Sequence, residues 1–321
     1  MIVTVTLNPS LDRTVEVESL VRGQVHRAGA ARLHPGGKGV NVTRALLRNG
    51  VPSCAVLPIA GPDGDELVRL LGAERVESAV VHVAGRTRSN ISIAEPDGTV
   101  TKVNEPGGAL SAAELDEVLE RALALTLPGA WVVLCGSLPP EAPTGLYATL
   151  TTRLRAAGAR VAVDSSGGAL AAAVESRPDL IKPNAEELAE AVGRPVTTRA
   201  DVVAAARELQ QRGARTVLVS LGAEGAMLVD EAGVLAGDSV AKEPRSTVGA
   251  GDAFLAGYLG AVATGEGRRS ALAQALAWGA AAVQLPGSQM PGPSDIDLSA
   301  AHVLDDDDCD TRLTAPFLRA V

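Results

Sequence analysis

The chain has 321 residues, of which 46% are hydrophobic, 21% charged and only 2% aromatic. Its 34 Gly and 19 Pro follow no period, which excludes collagen-like, coiled-coil and disordered chains and indicates a globular protein. The formal net charge is −9, and residues 295–321 alone carry seven Asp against two Arg, so the preceding part has a net charge of −4. A nearly balanced body without a basic stripe excludes a general nucleic-acid binder.

Three cysteines without a CxxC spacing predict neither a disulfide framework nor a zinc site. The start of the chain lacks a basic region followed by an apolar run, so it does not resemble a secretory peptide. The apolar runs are far shorter than the roughly 20 residues that span a bilayer. We therefore expect a cytoplasmic protein with no membrane partner and no nucleic-acid partner.

Short β-branched runs alternate with longer segments whose apolar residues recur every three or four positions, which is typical of βα units on a mostly parallel sheet. Because crossovers between parallel strands are right-handed, helices are expected on both faces of the sheet, as in an α/β/α sandwich. The predicted strands are 2–7, 53–59, 79–83, 131–135, 160–163, 180–182 and 216–220. The predicted helices are 38–48, 64–71, 112–125, 144–157, 185–192, 199–212, 250–263 and 269–284.

Two segments interrupt this pattern, at about residues 13–33 and 87–104, where polar and apolar residues alternate as in half-buried strands. A Pro-Asp-Gly turn inside the second segment predicts a hairpin. The two segments predict a small accessory sheet, which either covers a site as a lid or extends an edge of the main sheet. We expect residues 1–296 to form one domain with these insertions, and 297–321 to form an acidic, solvated C-terminal tail.

A first glycine-rich stretch, at 35–42, leads into the first predicted helix. Its glycines allow a ligand to approach the backbone, and the free N–H groups of a helix N-terminus attract anions. It is not a Walker A loop, because Arg32 and Gly39 stand where that motif requires a glycine and a hydroxyl residue. By itself the stretch also fits a tight strand-to-helix turn with an exposed lysine.

A second glycine-rich stretch, at 246–254, opens the helix predicted at 250–263. Consecutive amides at a helix N-terminus suit a transferring phosphoryl group. Asp252 in the first turn is ordinarily a cap, but beside these amides it fits a base that accepts a hydroxyl proton. The position of Phe254 and the late place of the stretch in the chain exclude a dinucleotide-binding fingerprint.

Three further segments end a strand or open a helix, which is where open α/β sheets bind ligands. Asn184 and Glu187 begin the helix predicted at 185–192, and they also fit an ordinary capping box. The segment 220–226 joins two strands and also fits a hairpin turn, and 135–140 follows a strand end.

In this order and at these separations, the segments resemble the PfkB (ribokinase-like) family of carbohydrate kinases over residues 1 to about 290. Residues 247–252, Thr-Val-Gly-Ala-Gly-Asp, resemble the family's C-terminal signature, and 35–41 resemble its N-terminal one. Ser246 stands where the C-terminal signature usually begins with Asp, a departure that the phosphosugar branch of the family shares. Four segments resemble that branch: 6–13, 37–41, 87–90 and 104–107.

The resemblance implies a ribokinase-like three-layer α/β/α sandwich with a small β-sheet lid that often doubles as the contact of a homodimer. It implies transfer of a phosphoryl group from ATP, with Mg²⁺, to a phosphorylated ketohexose. Fructose 1-phosphate is the favoured substrate, and fructose 6-phosphate and tagatose 6-phosphate are the alternatives. A monovalent cation requirement is left open. A non-catalytic protein that binds a sugar phosphate is the alternative from another class, and it is disfavoured because both glycine loops, Asp252 and Glu187 are present.

The resemblance also implies roles for matching positions. Asp252 would be the base, and the anion hole would consist of Gly249, Ala250 and Gly251. The positions implied for the sugar hydroxyls are Asp12, Gly37 and Asn41. Those implied for the phosphate already on the sugar are Lys38, Arg88, Arg27 and Ser137. Those implied for the nucleotide are Lys182, Asn184, Ser220, Gly222, Gly225 and Thr247, and Glu187 would act on magnesium indirectly. In an acidic chain such local cations are needed, and the planar fork of arginine suits a phosphate.

Overall fold

The computed structural model describes residues 1–305 of the chain. Within that range the strands are β1 (Ile2–Thr6), β2 (Ser10–Glu16), β3 (Ala31–Gly36), β4 (Ser53–Ile59), β5 (Ser78–His82), β6 (Arg88–Ala94), β7 (Val100–Asn104), β8 (Trp131–Cys135), β9 (Arg160–Asp164), β10 (Leu180–Ile181), β11 (Val217–Ser220), β12 (Ala226–Asp230), β13 (Gly233–Ser239) and β14 (Ala301–Asp305). The α-helices are α1 (Lys38–Arg48), α2 (Gly61–Ala73), α3 (Ala112–Ala124), α4 (Leu146–Ala156), α5 (Gly167–Glu175), α6 (Ala185–Val192), α7 (Arg199–Arg212), α8 (Ala250–Ala263) and α9 (Arg268–Val283).

The main sheet of the described chain has ten strands in the order β14-β13-β12-β11-β10-β9-β8-β1-β4-β5. The strands from β11 to β5 in that order are parallel, and β12, β13 and β14 add an antiparallel edge. Central strands such as β1, β4 and β8 are buried along their whole length, which explains their nearly continuous apolar sequences. The predicted α/β sandwich on a mostly parallel sheet is confirmed.

Alternate residues of the central strands enter two hydrophobic cores on opposite faces of the main sheet. From β8, Val132 and Leu134 pack with α3 to α7, whereas Val133 and Cys135 pack with α1, α8 and α9. Because α8 is covered on all sides, every residue from Asp252 to Ala261 is buried. This packing fixes the amino end of α8 relative to the sheet. None of the helices within residues 1–305 is both long and apolar enough to span a membrane.

The smaller sheet has four strands in the order β3-β2-β6-β7. β2 follows β1 after a three-residue connection, so the small sheet begins at the carboxyl end of a central strand. β6 and β7 form the predicted hairpin, whose turn is closed by a hydrogen bond from the Glu95 N–H to the Thr99 carbonyl. The predicted accessory sheet is therefore confirmed, and residues 17–30 connect β2 to β3. We call this sheet, together with the 17–30 connection, the lid.

Three features of the main fold were not predicted, and one of them is the strand β13. α5 was missed because it begins with two glycines and continues mostly in alanine, so it lacks the polar face that reveals an amphipathic helix. Residues 301–305 form β14, which pairs with β13, so the domain extends beyond the expected boundary at residue 296. The rest of the predicted tail, 306–321, lies outside the described residues.

Candidate active site

The amino end of α8 has the backbone geometry of an anion site. Its N-cap residue, Gly249, has φ = 80°, a left-handed conformation that glycine adopts at little cost. A side chain at Gly249 would also collide with Met290, since a Cβ would lie 2.5 Å from the Met290 methyl carbon. No side chain caps the first turn, and the Ala250 N–H makes only a long bond of 3.4 Å to the Thr247 carbonyl. This is the arrangement that the predicted anion hole, completed by Gly251, requires.

Asp252, in the first turn of α8, is only 7% exposed and accepts a hydrogen bond from Asn41 Nδ2 at 2.8 Å. Burial and the nearby carboxylate of Asp164 raise the pKa of Asp252 to about 6, although Lys38, the Asn41 amide and Lys182 act in the opposite direction. A carboxylate with this pKa is ionised at neutral pH and is a stronger base than an exposed aspartate. Its pKa is therefore suited to general-base catalysis near pH 7.

Asp164, at the end of β9, is fully buried between two lysines. Its Oδ1 accepts a hydrogen bond from Lys38 Nζ at 2.8 Å, and its Oδ2 lies 3.4 Å from Lys182 Nζ. Burial opposes its ionisation, but Lys182 and Lys38 hold the pKa of Asp164 below its usual value. A Cβ at Gly251 would lie 3.7 Å from Lys182 Nζ, which places this ammonium beside the first turn of α8. Positive charge is thus concentrated where the amides of α8 point.

Glu187 connects the N-cap of α6 to the same charged cluster. Asn184 Oδ1 accepts a hydrogen bond from the Glu187 N–H at 2.8 Å, and Glu187 Oε2 accepts one from the Asn184 N–H at 2.9 Å. The other oxygen, Glu187 Oε1, lies 3.4 Å from Lys38 Nζ. Burial opposes the charge on Lys38, but Asp164, Glu187 and Asp252 raise its pKa above the usual value. The capping box and the functional interpretation of Asn184 and Glu187 are therefore compatible, because the cap uses only one oxygen of Glu187.

A second polar cluster lies on the lid, on β2 and β6. Asp12 Oδ1 accepts hydrogen bonds from Ser10 Oγ at 2.7 Å and from Asn90 Nδ2 at 3.1 Å. Burial raises the pKa of Asp12, and these hydrogen bonds partly oppose that effect. Arg88 donates from Nη1 to the Glu105 carbonyl at 3.2 Å, and its buried Nε has no hydrogen-bond partner in the part of the chain that the structure describes. The lid therefore presents the carboxylate of Asp12 and the guanidinium of Arg88, and the Nε donor of that guanidinium is unused.

Two glycines bring the lid cluster against α1. A Cβ at Gly36 would collide with the Asp12 carboxylate, so any larger residue there would require Asp12 to shift. Gly37 has φ = 113°, a conformation that favours glycine, and it directly precedes Lys38 at the start of α1. Because Asn41 on the same helix reaches the carboxylate on α8, the lid cluster and the candidate base belong to one continuous site.

The remaining predicted positions lie at the rim of this site or outside it. A β-bridge between Asn184 and Ser220 places the turn after β11 beside the start of α6. Gly225 closes that turn, and a Cβ there would lie 2.0 Å from the Gly237 carbonyl oxygen. Exposed positions in connections near the site are Gly222, Thr247 and Ser137, whose Oγ lies 3.4 Å from Asn8 Nδ2.

Arg27 is a predicted position that is not brought into contact with the cluster. It is exposed in the 17–30 connection of the lid, and it makes no hydrogen bond or ion pair with any other residue of 1–305. Asp164 was not predicted as a site residue, because it belongs to no recognisable motif. The available signal was its place directly after the strand predicted at 160–163, since ligands bind at the carboxyl ends of parallel strands.

Comparison with known proteins gives consistent matches over nearly the whole chain. A family model described as "pfkB family carbohydrate kinase" matches residues 5–295. The chain is 39% identical over 295 residues to a 1-phosphofructokinase from Rhodobacter capsulatus, covering 91% of this chain and 93% of that protein. It is 38% identical over 258 residues to ATP-dependent 6-phosphofructokinase isozyme 2 from Escherichia coli, covering 79% of this chain and 83% of that protein.

The fold matches solved structures equally well. The crystal structure of phosphofructokinase-2 from Escherichia coli in complex with substrates and products has a TM-score of 0.87 and 34% identity, covering 92% of this chain and 96% of that one. Other structures of that enzyme are described as a complex with potassium and as a tetrameric inhibited form.

Asp252→Asn tests whether the charge on the buried Asp252 carboxylate lowers the stability of the folded protein. Because the pKa of Asp252 is about 6 in the folded protein and 3.8 ordinarily, its ionisation opposes folding by roughly 3 kcal/mol above pH 6. Below pH 3.8 the carboxyl is protonated in both states and this penalty is absent. We expect the variant to unfold at a higher temperature than the wild type at pH 8, and the difference to shrink between pH 6 and pH 4, as measured by thermal denaturation.

Asp201→Asn provides a control of opposite sign. Hydrogen bonds from Thr197 and Thr198 lower the pKa of Asp201 at the start of α7, so its charge stabilises the folded state. This variant should unfold at a lower temperature than the wild type at pH 8. A decrease in unfolding temperature at pH 8 for Asp252→Asn as well would contradict the assigned pKa.

Proposed function

The chain belongs to the pfkB family of carbohydrate kinases, and from this premise we propose that it transfers a phosphoryl group from ATP to fructose 1-phosphate, forming fructose 1,6-bisphosphate. The main support is a buried carboxylate, Asp252, placed at an uncapped helix N-terminus beside Lys182. Phosphoryl transfer needs positioning and charge stabilisation more than covalent chemistry, and this arrangement supplies both. The 1-phosphofructokinase from Rhodobacter capsulatus supports the choice of substrate.

Asp252 is proposed to act as the base of the transfer step. As the sugar hydroxyl oxygen bonds to the γ-phosphorus, its proton passes to Asp252 and the β,γ-bridging P–O bond breaks, so that ADP leaves with the electron pair. The hydrogen bond from Asn41 Nδ2 holds the carboxylate in place. The first-turn amides of α8 and Lys182 stabilise charge on the equatorial oxygens of the phosphoryl group.

The sugar phosphate is proposed to bind between the lid and α1. Asp12, the Gly37 backbone and Asn41 would hold hydroxyl groups. We assign the substrate's own phosphate first to Arg88, because its Nε has no partner within residues 1–305, whereas Lys38 is already shared by two carboxylates. Lys38, Ser137 and Arg27 are proposed to line the same phosphate pocket, Arg27 after movement of the lid connection.

Magnesium fits the donor set of this site. The carboxylates of Asp164 and Glu187 both contact Lys38, and Asp164 Oδ2 has no hydrogen-bond partner within residues 1–305. The same range contains no cluster of three His, Cys, Asp or Glu that could hold a metal by itself. Mg²⁺ usually keeps several waters and takes only one or two carboxylates beside substrate phosphates. We propose that Glu187 acts on the ion through water, and that the ion neutralises phosphate charge.

The nucleotide is proposed to lie along the loops that follow β10 and β11. The residues assigned to it are Lys182, Asn184, Ser220, Gly222, Gly225 and Thr247. The bridge between Asn184 and Ser220 supports this assignment, because it brings these loops side by side at the carboxyl ends of adjacent strands.

Fructose 6-phosphate is the second candidate substrate. It is favoured because the 38% identity to 6-phosphofructokinase isozyme 2 from Escherichia coli is close to the 39% identity to the 1-phosphofructokinase from Rhodobacter capsulatus. It is also favoured by the structural match to phosphofructokinase-2 from Escherichia coli. The two substrates differ in which end of the ketohexose carries the phosphate and which presents its hydroxyl to Asp252. Tagatose 6-phosphate is a third candidate, because it carries its phosphate at the same end of the ketohexose as fructose 6-phosphate.

The proposal is tested by measuring ADP release with magnesium-ATP, with and without potassium, against fructose 1-phosphate, fructose 6-phosphate, tagatose 6-phosphate and unphosphorylated fructose. We expect kcat/KM for fructose 1-phosphate to exceed the other values. Asp252→Asn should lower kcat by ~10²–10⁴, the usual contribution of a positioned general base, while both substrates still bind. A preference for another phosphosugar would correct the substrate, and absence of turnover with all four would refute the proposed activity.

Arg88→Ala tests recognition of the substrate's own phosphate. Loss of charge-assisted hydrogen bonds should raise KM for the phosphosugar by ~10–100-fold, with little change in KM for ATP. Arg86→Ala is the matched control, because this neighbouring arginine is exposed and pairs with Asp63. Equal increases in KM for phosphorylated and unphosphorylated sugars would show that Arg88 does not read the phosphate.

The lid is also proposed to form the contact of a homodimer. Its strand register places the polar cluster on one face and Val15, Ile91, Ile93 and Val103 on the other. Val103 is 52% exposed, and Val15, Ile91 and Ile93 are half-buried. Apolar side chains that share one face and keep part of their surface exposed are typical of an interaction surface.

Val103→Asp should therefore shift the protein from dimer to monomer in sedimentation or light-scattering measurements, because a carboxylate cannot be buried there without a partner. Leu127→Asp is the control, since Leu127 is 67% exposed and lies outside the lid. A Val103→Asp protein that remained dimeric, or a wild type that was monomeric at tens of micromolar, would refute the lid contact.

A further inference from the structure

Arg44, on α1, is 3% exposed, and its guanidinium is fully engaged by the protein. Its Nε and Nη2 form a bidentate pair with the Glu74 carboxylate, both at 2.8 Å. Its Nη1 donates to the Ser288 carbonyl at 3.0 Å, to Asn41 Oδ1 at 3.2 Å and to the Pro35 carbonyl at 3.4 Å. One side chain thus joins α1 to the end of α2, to strand β3 of the lid and to the segment before Met290.

The contact with Asn41 determines which way that amide faces. A guanidinium has donors and no acceptor, so the Asn41 atom beside Arg44 must be the carbonyl oxygen. This leaves Asn41 Nδ2 to donate to Asp252 Oδ2 at 2.8 Å. The reversed amide would set N–H groups against the guanidinium and a carbonyl oxygen against the carboxylate, so both contacts would become repulsive.

We propose that Arg44 is a positioning residue for phosphoryl transfer, and that it acts through Asn41 to fix the carboxylate of Asp252 in its working orientation. This inference rests on the proposed function, because it takes Asp252 to be the base. Arg44 touches neither Asp252 nor the reacting atoms. Glu74, which is 35% exposed on its side chain, anchors the outer end of the chain of contacts Glu74, Arg44, Asn41, Asp252.

Stability alone does not account for a buried guanidinium at this position. Buried ion pairs often contribute no more to folding than apolar side chains of similar volume, because desolvation offsets their attraction. An apolar residue would fill the space but would remove the donor that holds the Asn41 carbonyl oxygen. The specific consequence of the charged group is therefore the fixed donor to Asp252.

The same guanidinium also connects the base to the rest of the site. Its bond to the Pro35 carbonyl ties the strand that leads to Gly36, against which Asp12 packs. Its bond to the Ser288 carbonyl fixes the segment that carries Met290 against Gly249. Displacement of Arg44 is therefore expected to disturb the orientation of the base more than the cluster of Asp164 with its lysines, which it does not contact.

Arg44→Met tests the proposal, since methionine keeps the apolar stem and removes every donor. We expect kcat to fall by ~10-fold or more, as for loss of one hydrogen bond to a charged group, with KM for ATP changed by less than about threefold. The acid limb of kcat should move to higher pH, because loss of the Asn41 hydrogen bond raises the pKa of Asp252. The other groups facing Asp252, namely Asp164, Lys38 and Lys182, are unchanged in this variant. A lower unfolding temperature with unchanged kcat and acid limb would overturn the proposal.

The double variant separates positioning from a general disturbance. In an Asn41→Ala background, Arg44→Met should lower kcat by less than about threefold, because its effect passes through Asn41. Arg48→Met is the matched control, since Arg48 is exposed one turn further along α1, and it should leave kcat unchanged. If Arg44→Met fails to fold, Glu74→Gln weakens the anchor more mildly and should shift the acid limb in the same direction. Full additivity of the Arg44 and Asn41 effects would overturn the proposal.

A measurement without turnover distinguishes failure of this proposal from failure of the proposed activity. Arg44→Met and Asp252→Asn should shift the unfolding midpoint non-additively when Asn41 is present, and additively when Asn41 is alanine. This result would support the connection even if none of the four sugars is a substrate. Additive shifts in both backgrounds, or equal non-additivity in both, would overturn the role of Asn41 as the link.

Discussion

Two carboxylates, Asp164 and Asp252, are buried at the same end of the main sheet, and the site depends on keeping both ionised at neutral pH. Like charges in a low-dielectric interior oppose each other's ionisation, so nearby cations and hydrogen-bond donors must offset the two negative charges. The two carboxylates receive different partners. Lys38 and Lys182 contact Asp164 directly and hold its pKa low, whereas Asp252 receives one neutral hydrogen bond and its pKa rises to about 6. The result is one carboxylate that organises cations and another that remains able to accept a proton.

The fold keeps this arrangement in place because its elements are buried where they meet. α8 is apolar on all sides and is enclosed by α1, α9 and the main sheet, so its amino end cannot move without opening a core. At the lid, Gly36 lies so close to the Asp12 carboxylate that a larger residue would displace it, and Gly37 adopts a conformation that favours glycine. Close backbone contacts therefore join an exposed element, the small sheet, to the buried helices of the main domain.

Several motifs serve local structure and the site at once. Asn184 and Glu187 form a complete capping box, yet Glu187 still has an oxygen 3.4 Å from Lys38. Asn41 is proposed to bind a sugar hydroxyl, and its two polar atoms also contact Arg44 and Asp252. An ordinary structural role of these residues therefore does not exclude the functional role proposed for them. The helix cap and the amide contact are the means by which functional atoms are held.

The sequence by itself determined the sandwich, the lid and the glycine-rich helix starts, because hydrophobic periods and glycine requirements are local properties of the chain. α1, α6, α7 and α8 have the predicted bounds for this reason. Only the tertiary structure brought Asp164 and Arg44 to the site, since neither belongs to a recognisable motif and both act on residues far away in sequence. It also decided that residues 301–305 are a strand, because β13 offers them an edge with free hydrogen-bonding groups. Which charged side chains are buried together depends on how distant segments of the chain pack against each other. Local sequence patterns do not specify that packing.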